Sequence, residues 1–340
     1  MGGSGRPAVI LLGILLLAIG FGGPAGAQPL PRLSIMVGGL EKIIYLPVVL
    51  TQRLGHFKAA GVDVTLLDEG AGVDAEGELL AGRVDGVAGF YDHTIDLQVR
   101  GKSLEAVIVL DRVPGEALVV SNRAGIKTLA GLRAKRIGVT GLGSSTHFLA
   151  SYLVAKGGGD RPDYTALAVG AGSTLITAMQ QHRIDAAVTS EPTVSRLLKM
   201  GLARVLVDMR TAAGTRAALG GTYPAASLYM RTEFVRSHRD AVQRTVAALV
   251  RTLRYLHTHT APQVADHMPE DYYVGDKPLY VAALALSTDV FNPSGAMPPD
   301  GPATVLKVLA SFNRDLDPRK VDLGKTYTDE FVTAALKPKT

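Results

Sequence analysis

Short apolar runs alternate with helical patterns along most of this 340-residue chain, and glycines punctuate the joins. Leu33 to Val37 is an apolar run closed by Gly38-Gly39. Val62 to Leu67 sets Val62, Val64 and Leu66 against Asp63 and Thr65, the period of a half-buried strand. Between them, Leu46 to Leu54 has helical spacing and stops at Gly55. Two further strands are predicted at Val84 to Ala88 and Ala106 to Leu110, with helical stretches closed by Gly82 and Gly101. This β-α-β-α-β rhythm predicts a mostly parallel sheet with helices on both faces.

The rhythm restarts in the second half. Strands are predicted at Ala117 to Ser121, Ile137 to Val139, Thr165 to Val169 and Ile184 to Thr189. A short helix at Thr128 to Leu132, a helix after Ser144, and helices at Ser173 to Gln181 and Thr193 to Met200 fill the gaps. After a strand at Ala225 to Met230 the pattern changes. Glu233 to Thr258 carries Phe234, Val235, Val246, Leu249, Val250 and Leu253 near 3.6-residue spacing, and predicts one long helix. Pro278 to Thr288, Pro302 to Phe312 and Thr328 to Leu336 predict three more. Two α/β lobes followed by a helical tail packed back on the first lobe are expected.

The first 27 residues read as an export signal rather than fold. Arg6 is their only charge, Ala8 to Phe21 is apolar, and Ala25-Gly26-Ala27 offers a cleavage site before Gln28. The apolar stretch is short for a membrane span of about 20 residues. There is no cysteine, so neither a disulfide framework nor a thiolate metal site is available. The formal charge of +5 is spread along the chain, and no nucleic-acid motif is present. His257 and His259 lie two apart on a predicted helix and do not share a face, so no helical metal pair is expected. No metal, cofactor or nucleic-acid partner is expected, and the mature chain is expected to be a periplasmic monomer.

In doubly wound folds ligands lie beyond the carboxyl ends of the strands, which directs attention to the residues there. Gly141-Leu142-Gly143-Ser144-Ser145-Thr146 follows one strand and opens a helix. Its hydroxyls and the positive end of the helix dipole suit an anionic or polar ligand, although helix capping alone accounts for the same residues. Glu191 follows another strand and either meets the ligand or pairs with a base such as Arg196. On the first lobe, Phe90-Tyr91-Asp92-His93-Thr94 follows a strand, with Asp92 as a natural N-cap and Tyr91 and His93 as candidate cleft residues. Tyr45, in the loop after the first strand, could cover a flat ligand. Thr222 and Tyr223 lie near a second crossing between the lobes.

The order of these segments resembles the periplasmic solute-binding proteins of ABC importers for nitrate, sulfonates, taurine and thiamine precursors. The matching stretches are Gly55-His56-Phe57-Lys58-Ala59-Ala60-Gly61-Val62-Asp63-Val64, Leu80-Ala81-Gly82-Arg83-Val84-Asp85-Gly86-Val87 and Leu129 through Thr146. Met179 through Val188, Glu191-Pro192 and Phe234 through Leu256 continue the series. The resemblance implies a type II periplasmic binding fold with a ligand cleft between two α/β lobes. It divides the chain into a signal segment (1–27), a first lobe (33–117), a second lobe (118–222) and a return to the first lobe (223–340). Hinges are expected near Val113-Pro114-Gly115 and Gly220-Gly221-Thr222. It also implies a small anionic or heteroaromatic ligand delivered to an ABC permease, membrane contact only through that permease, and no catalysis. An exported sensing subunit is the first alternative. An enzyme related to thiamine-precursor synthesis is the second, and the lack of cysteine counts against the cysteine-rich motif of that relative.

Overall fold

The computed structural model describes residues 1–3, 30–158 and 163–337. The proposed signal segment and its cleavage point after Ala27 lie largely outside them. Two five-stranded sheets organise the rest. Strands β1 (Arg32–Val37), β2 (Asp63–Asp68), β3 (Gly86–Phe90) and β4 (Leu104–Val109) build the first, and β5 (Glu116–Ser121) opens the second. That sheet continues with β6 (Arg136–Val139), β7 (Thr165–Ala168), β8 (Ala186–Ser190) and β9 (Ala203–Asp208). The chain then returns to the first sheet as β10 (Ala226–Arg231).

The strand orders are β2-β1-β3-β10-β4 and β7-β6-β8-β5-β9. In each sheet the fourth strand runs against the other four: β10 is antiparallel to β3 and β4, and β5 to β8 and β9. The predicted mostly parallel character holds for the other strands. The reversal arises because each of these strands enters its sheet from the opposite lobe. It also places the first residue of β5 and β10 at the carboxyl ends of their neighbours, in the registers Glu116 to Ser190 and Ala226 to Phe90.

The same local device starts the third strand of each lobe. In Arg83-Val84-Asp85-Gly86 the Asp85 carboxylate accepts the Ser34 backbone N–H at 2.8 Å. In Arg183-Ile184-Asp185-Ala186 the Asp185 carboxylate accepts the Arg136 N–H at 2.9 Å. These side-chain bonds take the place of ladder bonds, so β3 and β8 start two residues later than their apolar runs.

The predicted long helix is broken into Thr232–Ser237 and Arg239–Thr258. Ser237 Oγ bonds the Glu233 and Phe234 carbonyls, and His238 leaves helical geometry at φ −122°, ψ 36°. Short polar side chains that bond the preceding turn favour such ends. Edge strand β9 and the helices Ala212–Leu219 and Ala261–Ala265 lie outside the predicted set. The 20-residue helix Arg239–Thr258 packs on helices Leu46–Arg53, His56–Ala59 and Glu330–Leu336, as expected for a tail returning to the first lobe. A buried polar knot pins it: Thr252 Oγ1 meets Thr51 Oγ1 at 2.7 Å and His56 Nδ1 at 2.8 Å. Among the described residues no helix is long and apolar enough to cross a membrane.

Leu249 is fully buried in that packing. Leu249→Ala is expected to cost about 2–5 kcal/mol in urea unfolding, while Arg254→Ala on the exposed face stays within about 0.5 kcal/mol. Equal effects at both positions would show that the tail does not pack on the lobe.

Candidate ligand-binding cleft between the lobes

Two crossings join the sheets, and they bond to each other. Ala225 N–H donates to the Asp111 carbonyl at 2.9 Å, and Asp111 N–H to Ala226 at 3.0 Å. Above them the carboxyl ends of both sheets face each other and enclose a cavity of about 20 Å³, room for about one water. Lys42, Tyr45, Phe90, Glu116, Ser145 and Ser190 are among its lining residues. A wider groove of about 920 Å³ crosses the outer surface of the first lobe near Gln98, Glu105 and Arg236. None of its lining residues is buried. The small cleft is the chemically specialised place, because nearly all its polar side chains are out of water.

The Ser144-Ser145-Thr146 cluster divides its work between the lobes. Ser145 Oγ donates to Asp92 Oδ1 at 2.7 Å, across the cleft. Ser144 Oγ accepts the Val73 N–H at 3.3 Å, also from the first lobe. Thr146 Oγ1 stays within its own lobe, accepting Thr140 N–H at 3.0 Å and so fixing the glycine turn. Gly141 completes this face: a Cβ there would meet Ala71 and Val73 of the first lobe at 3.0 Å.

Asp92 is fully buried and begins helix Asp92–Val99 instead of capping it. Its carboxylate is held by Ser145 and, at Oδ2, by the Tyr223 hydroxyl at 2.8 Å. Burial raises its pKa; neighbouring His93 and the Ser145 and Tyr223 hydrogen bonds oppose the rise. His93 lies beside it, with Nδ1 2.6 Å from Glu76 Oε2 in a buried ion-pair contact. Its Nε2 is 3.5 Å from Ser145 Oγ. Burial by itself would lower the His93 pKa, but Glu76, Asp92 and Asp96 outweigh it and the net shift is upward.

The remaining predicted site residues are placed as follows. Tyr45 lines the cavity, and its phenol is pushed well above its usual range by burial and then by Glu116, Asp111 and Asp92. Tyr91 points the other way, into the C-terminal segment, where its hydroxyl bonds Thr326 Oγ1 and its ring meets Tyr327 edge-on. Glu191 is buried and pairs with Arg210 at 2.5 Å, not with Arg196, while its other oxygen accepts the Ser195 N–H. Its backbone carbonyl crosses the cleft to accept Ile43 N–H at 3.0 Å. Thr222 sits outside the cavity, its N–H bound to Asp300.

Two charged cavity residues, Lys42 and Glu116, were not singled out from the sequence. Lys42 is buried, and its Nζ donates to the carbonyls of Gly38 at 2.5 Å and Gly70 at 3.1 Å. Burial lowers its pKa to about 8 against the opposing pull of Glu116. Glu116 heads β5, and its Oε2 is buried with no hydrogen-bond partner. Burial raises its pKa to about 8, with Lys42 opposing and Asp92 adding to the rise. A charged residue at the head of an otherwise apolar strand was the available signal for Glu116. For Lys42 the signal was a lysine between the first strand and the first helix.

These shifts fix a pH dependence. A carboxyl raised on folding stabilises the fold fully below its unfolded pKa of about 4.3, and that contribution is lost as pH rises through about 8. His93, raised as well, acts in the same direction. Lys42 acts oppositely, but only above its lowered pKa. Unfolding free energy is therefore expected to fall between pH 5 and 8, by at most about 1.4 kcal/mol per pH unit for each proton involved. Glu116→Gln should flatten part of that slope in urea titrations at pH 5, 6.5 and 8; an unchanged slope would remove Glu116 from the account.

Comparison with known proteins agrees with this architecture. A solved protein from Bordetella bronchiseptica RB50 superposes with a TM-score of 0.86 at 36% identity, over 89% of this chain and 96% of that one. The alkanesulfonate-binding protein SsuA from Xanthomonas axonopodis pv. citri superposes at 0.66 with 20% identity, over 88% and 98% of the two chains. The architecture is thus the periplasmic binding protein fold. A 4-amino-5-hydroxymethyl-2-methylpyrimidine phosphate synthase of Schizosaccharomyces pombe is 26% identical over 147 residues, 43% of this chain. That match spans only 41% of the synthase's length. Residues 44–263 match the NMT1/THI5-like family, and with that span covering more than half of its length the chain belongs to this family.

Proposed function

We propose that the protein is an exported solute receptor that captures a small polar molecule between its lobes and delivers it to an ABC importer. The observation carrying this reading is the buried polar seam from Ser144 and Ser145 to Asp92, His93 and Tyr223, which draws on both lobes. A molecule touching both sides favours the closed arrangement, because only a difference in affinity between two states can shift their balance. The ligand classes considered are sulfonate, nitrate, taurine and pyrimidine precursor. They follow from the family resemblance, and SsuA, a sulfonate binder of the same fold, supports that range. The periplasm, a cleaved leader, hinges at the two crossings and a monomeric state belong to the same proposal.

The testing experiment is a thermal-shift and calorimetric screen of these classes. A ligand at 100 times its Kd adds about 2.7 kcal/mol to stability. Ser145→Ala leaves Asp92 Oδ1 without its partner in the closed state. A lost charge-assisted hydrogen bond is worth about 1.5–3 kcal/mol, so the Kd of any bound solute is expected to rise about ten- to hundredfold. An unchanged Kd would place the ligand elsewhere.

A further inference from the structure

We infer that the amino-terminal edge of the second sheet, on the side of that lobe away from the cleft, is a docking surface for an anionic phospholipid membrane. The inference does not rest on the receptor reading, since it needs nothing in the cleft. It adds a direct membrane contact to the one expected only through a permease.

The excess of positive charge expected to be spread along the chain belongs to one lobe. Residues 118–222 hold 13 Lys and Arg against 5 Asp and Glu, a formal net charge of +8. The whole chain carries +5, so the remainder stands at −3. Strand direction then gathers much of that charge on one edge. β6 and β8 start there and β5 ends there, since Val120 and Ile137 both pair with Ala186. β9 starts there too, with Arg204 opposite Val120. The turn after β5 carries Arg123 and Lys127, and the turns entering β6 and β8 carry Arg133, Lys135 and Arg183. Backbone bonds draw these turns together: Ser121 N–H donates to the Asp185 carbonyl at 2.9 Å, and Asn122 N–H to the Leu202 carbonyl at 3.0 Å. Arg123 Nη1 reaches His182 Nε2 at 2.6 Å, beside Arg183.

Acids do not cancel this charge. Asp163 and Asp185 are taken by Arg133 at 3.4 Å and by Arg136 at 2.8 Å. Arg123, Lys127 and Arg183 are exposed and pair with no carboxylate among the described residues. The same edge of the first sheet is balanced: Arg32 meets Asp63, Arg83 meets Glu78, and Glu105 follows Leu104, the partner of Arg231. Apolar side chains adjoin the cations of the second sheet. Leu198 and Met200 are 39% and 50% exposed, and the next residue, Gly201, is fixed to the edge by the Asn122 side-chain amide at 2.9 Å. Five strands at about 4.8 Å spacing make an edge about 20 Å wide. Cations spread over that width suit an array of headgroup phosphates, and Leu198 and Met200 can enter the boundary beneath them. Each Lys or Arg beside an anionic lipid surface strengthens binding about fivefold, an attraction that salt screens.

The experiment is vesicle co-sedimentation of the chain as recovered after export. Vesicles of phosphatidylcholine alone are compared with equal parts of phosphatidylcholine and phosphatidylglycerol, at low and at high salt. Binding is expected to the mixed vesicles at low salt only. Arg123→Glu combined with Arg183→Glu is expected to weaken it by at least about twentyfold. Arg251→Glu combined with Arg254→Glu makes the same change in net charge on the exposed face of the first lobe's long helix. That pair is expected to weaken binding by less than about threefold, because charges remote from the contact are screened. Far-UV circular dichroism reports that each variant folds, and the lipid and salt dependence of the wild type tests the inference without any variant. Equal losses from both pairs would reduce the effect to net charge and overturn the inference. Binding to phosphatidylcholine alone as strong as to the mixture would overturn it as well. So would no binding to either vesicle, and retention on poly-glutamate in that case would assign the edge to an acidic protein.

Discussion

One buried carboxylate organises the seam between the two lobes. Asp92 belongs to the first lobe, takes a hydroxyl from Ser145 of the second, and takes another from Tyr223 on the segment that returns between them. A carboxylate out of water is costly unless its oxygens are matched, and here each oxygen has a partner from a different part of the chain. The lobes can separate only by exposing Asp92 to water or leaving it unmatched. The contact between the lobes and the polar character of the cleft thus share one side chain.

The reversed strands explain how acidic groups reach the same place. In an all-parallel sheet the residues that begin strands lie at the end away from the ligand. Because β5 enters from the other lobe, its first residue, Glu116, stands opposite Ser190 at the end of β8. β10 does the same for Ala226 opposite Phe90. The crossing segments are therefore more than linkers. They carry Glu116 and Tyr223 to the cleft, and their mutual hydrogen bonds at Asp111 and Ala225 hold the two sheet ends in register.

Other close approaches shape the entrance. A side chain at Gly172 would strike Glu41 at 2.6 Å, and one at Gly115 would strike Ile44 at 2.6 Å. Both glycines hold positive φ, at 56° and 65°, a region that disfavours other residues. The loop from Glu41 to Tyr45 can press against the second lobe because these positions have no Cβ. Its backbone bond from Ile43 to Glu191 completes that contact.

Much of the fold was legible from the order of residues alone. Strand and helix positions follow from apolar periodicity and glycine stops, and these are local properties that a few neighbouring residues decide. The hydroxyl cluster at Ser144 to Thr146 was legible for the same reason, since a helix start is a local event. What tertiary structure alone decided is which side chains meet. Tyr91 and His93 sit two residues apart after the same strand, yet one turns to Thr326 and the other to Glu76 and Ser145. Glu191 finds Arg210, 19 residues away, in place of the nearer Arg196. Glu116 becomes a cleft residue only through the direction of its strand. Pairing across two sheets depends on strand order and direction, which short-range patterning does not encode.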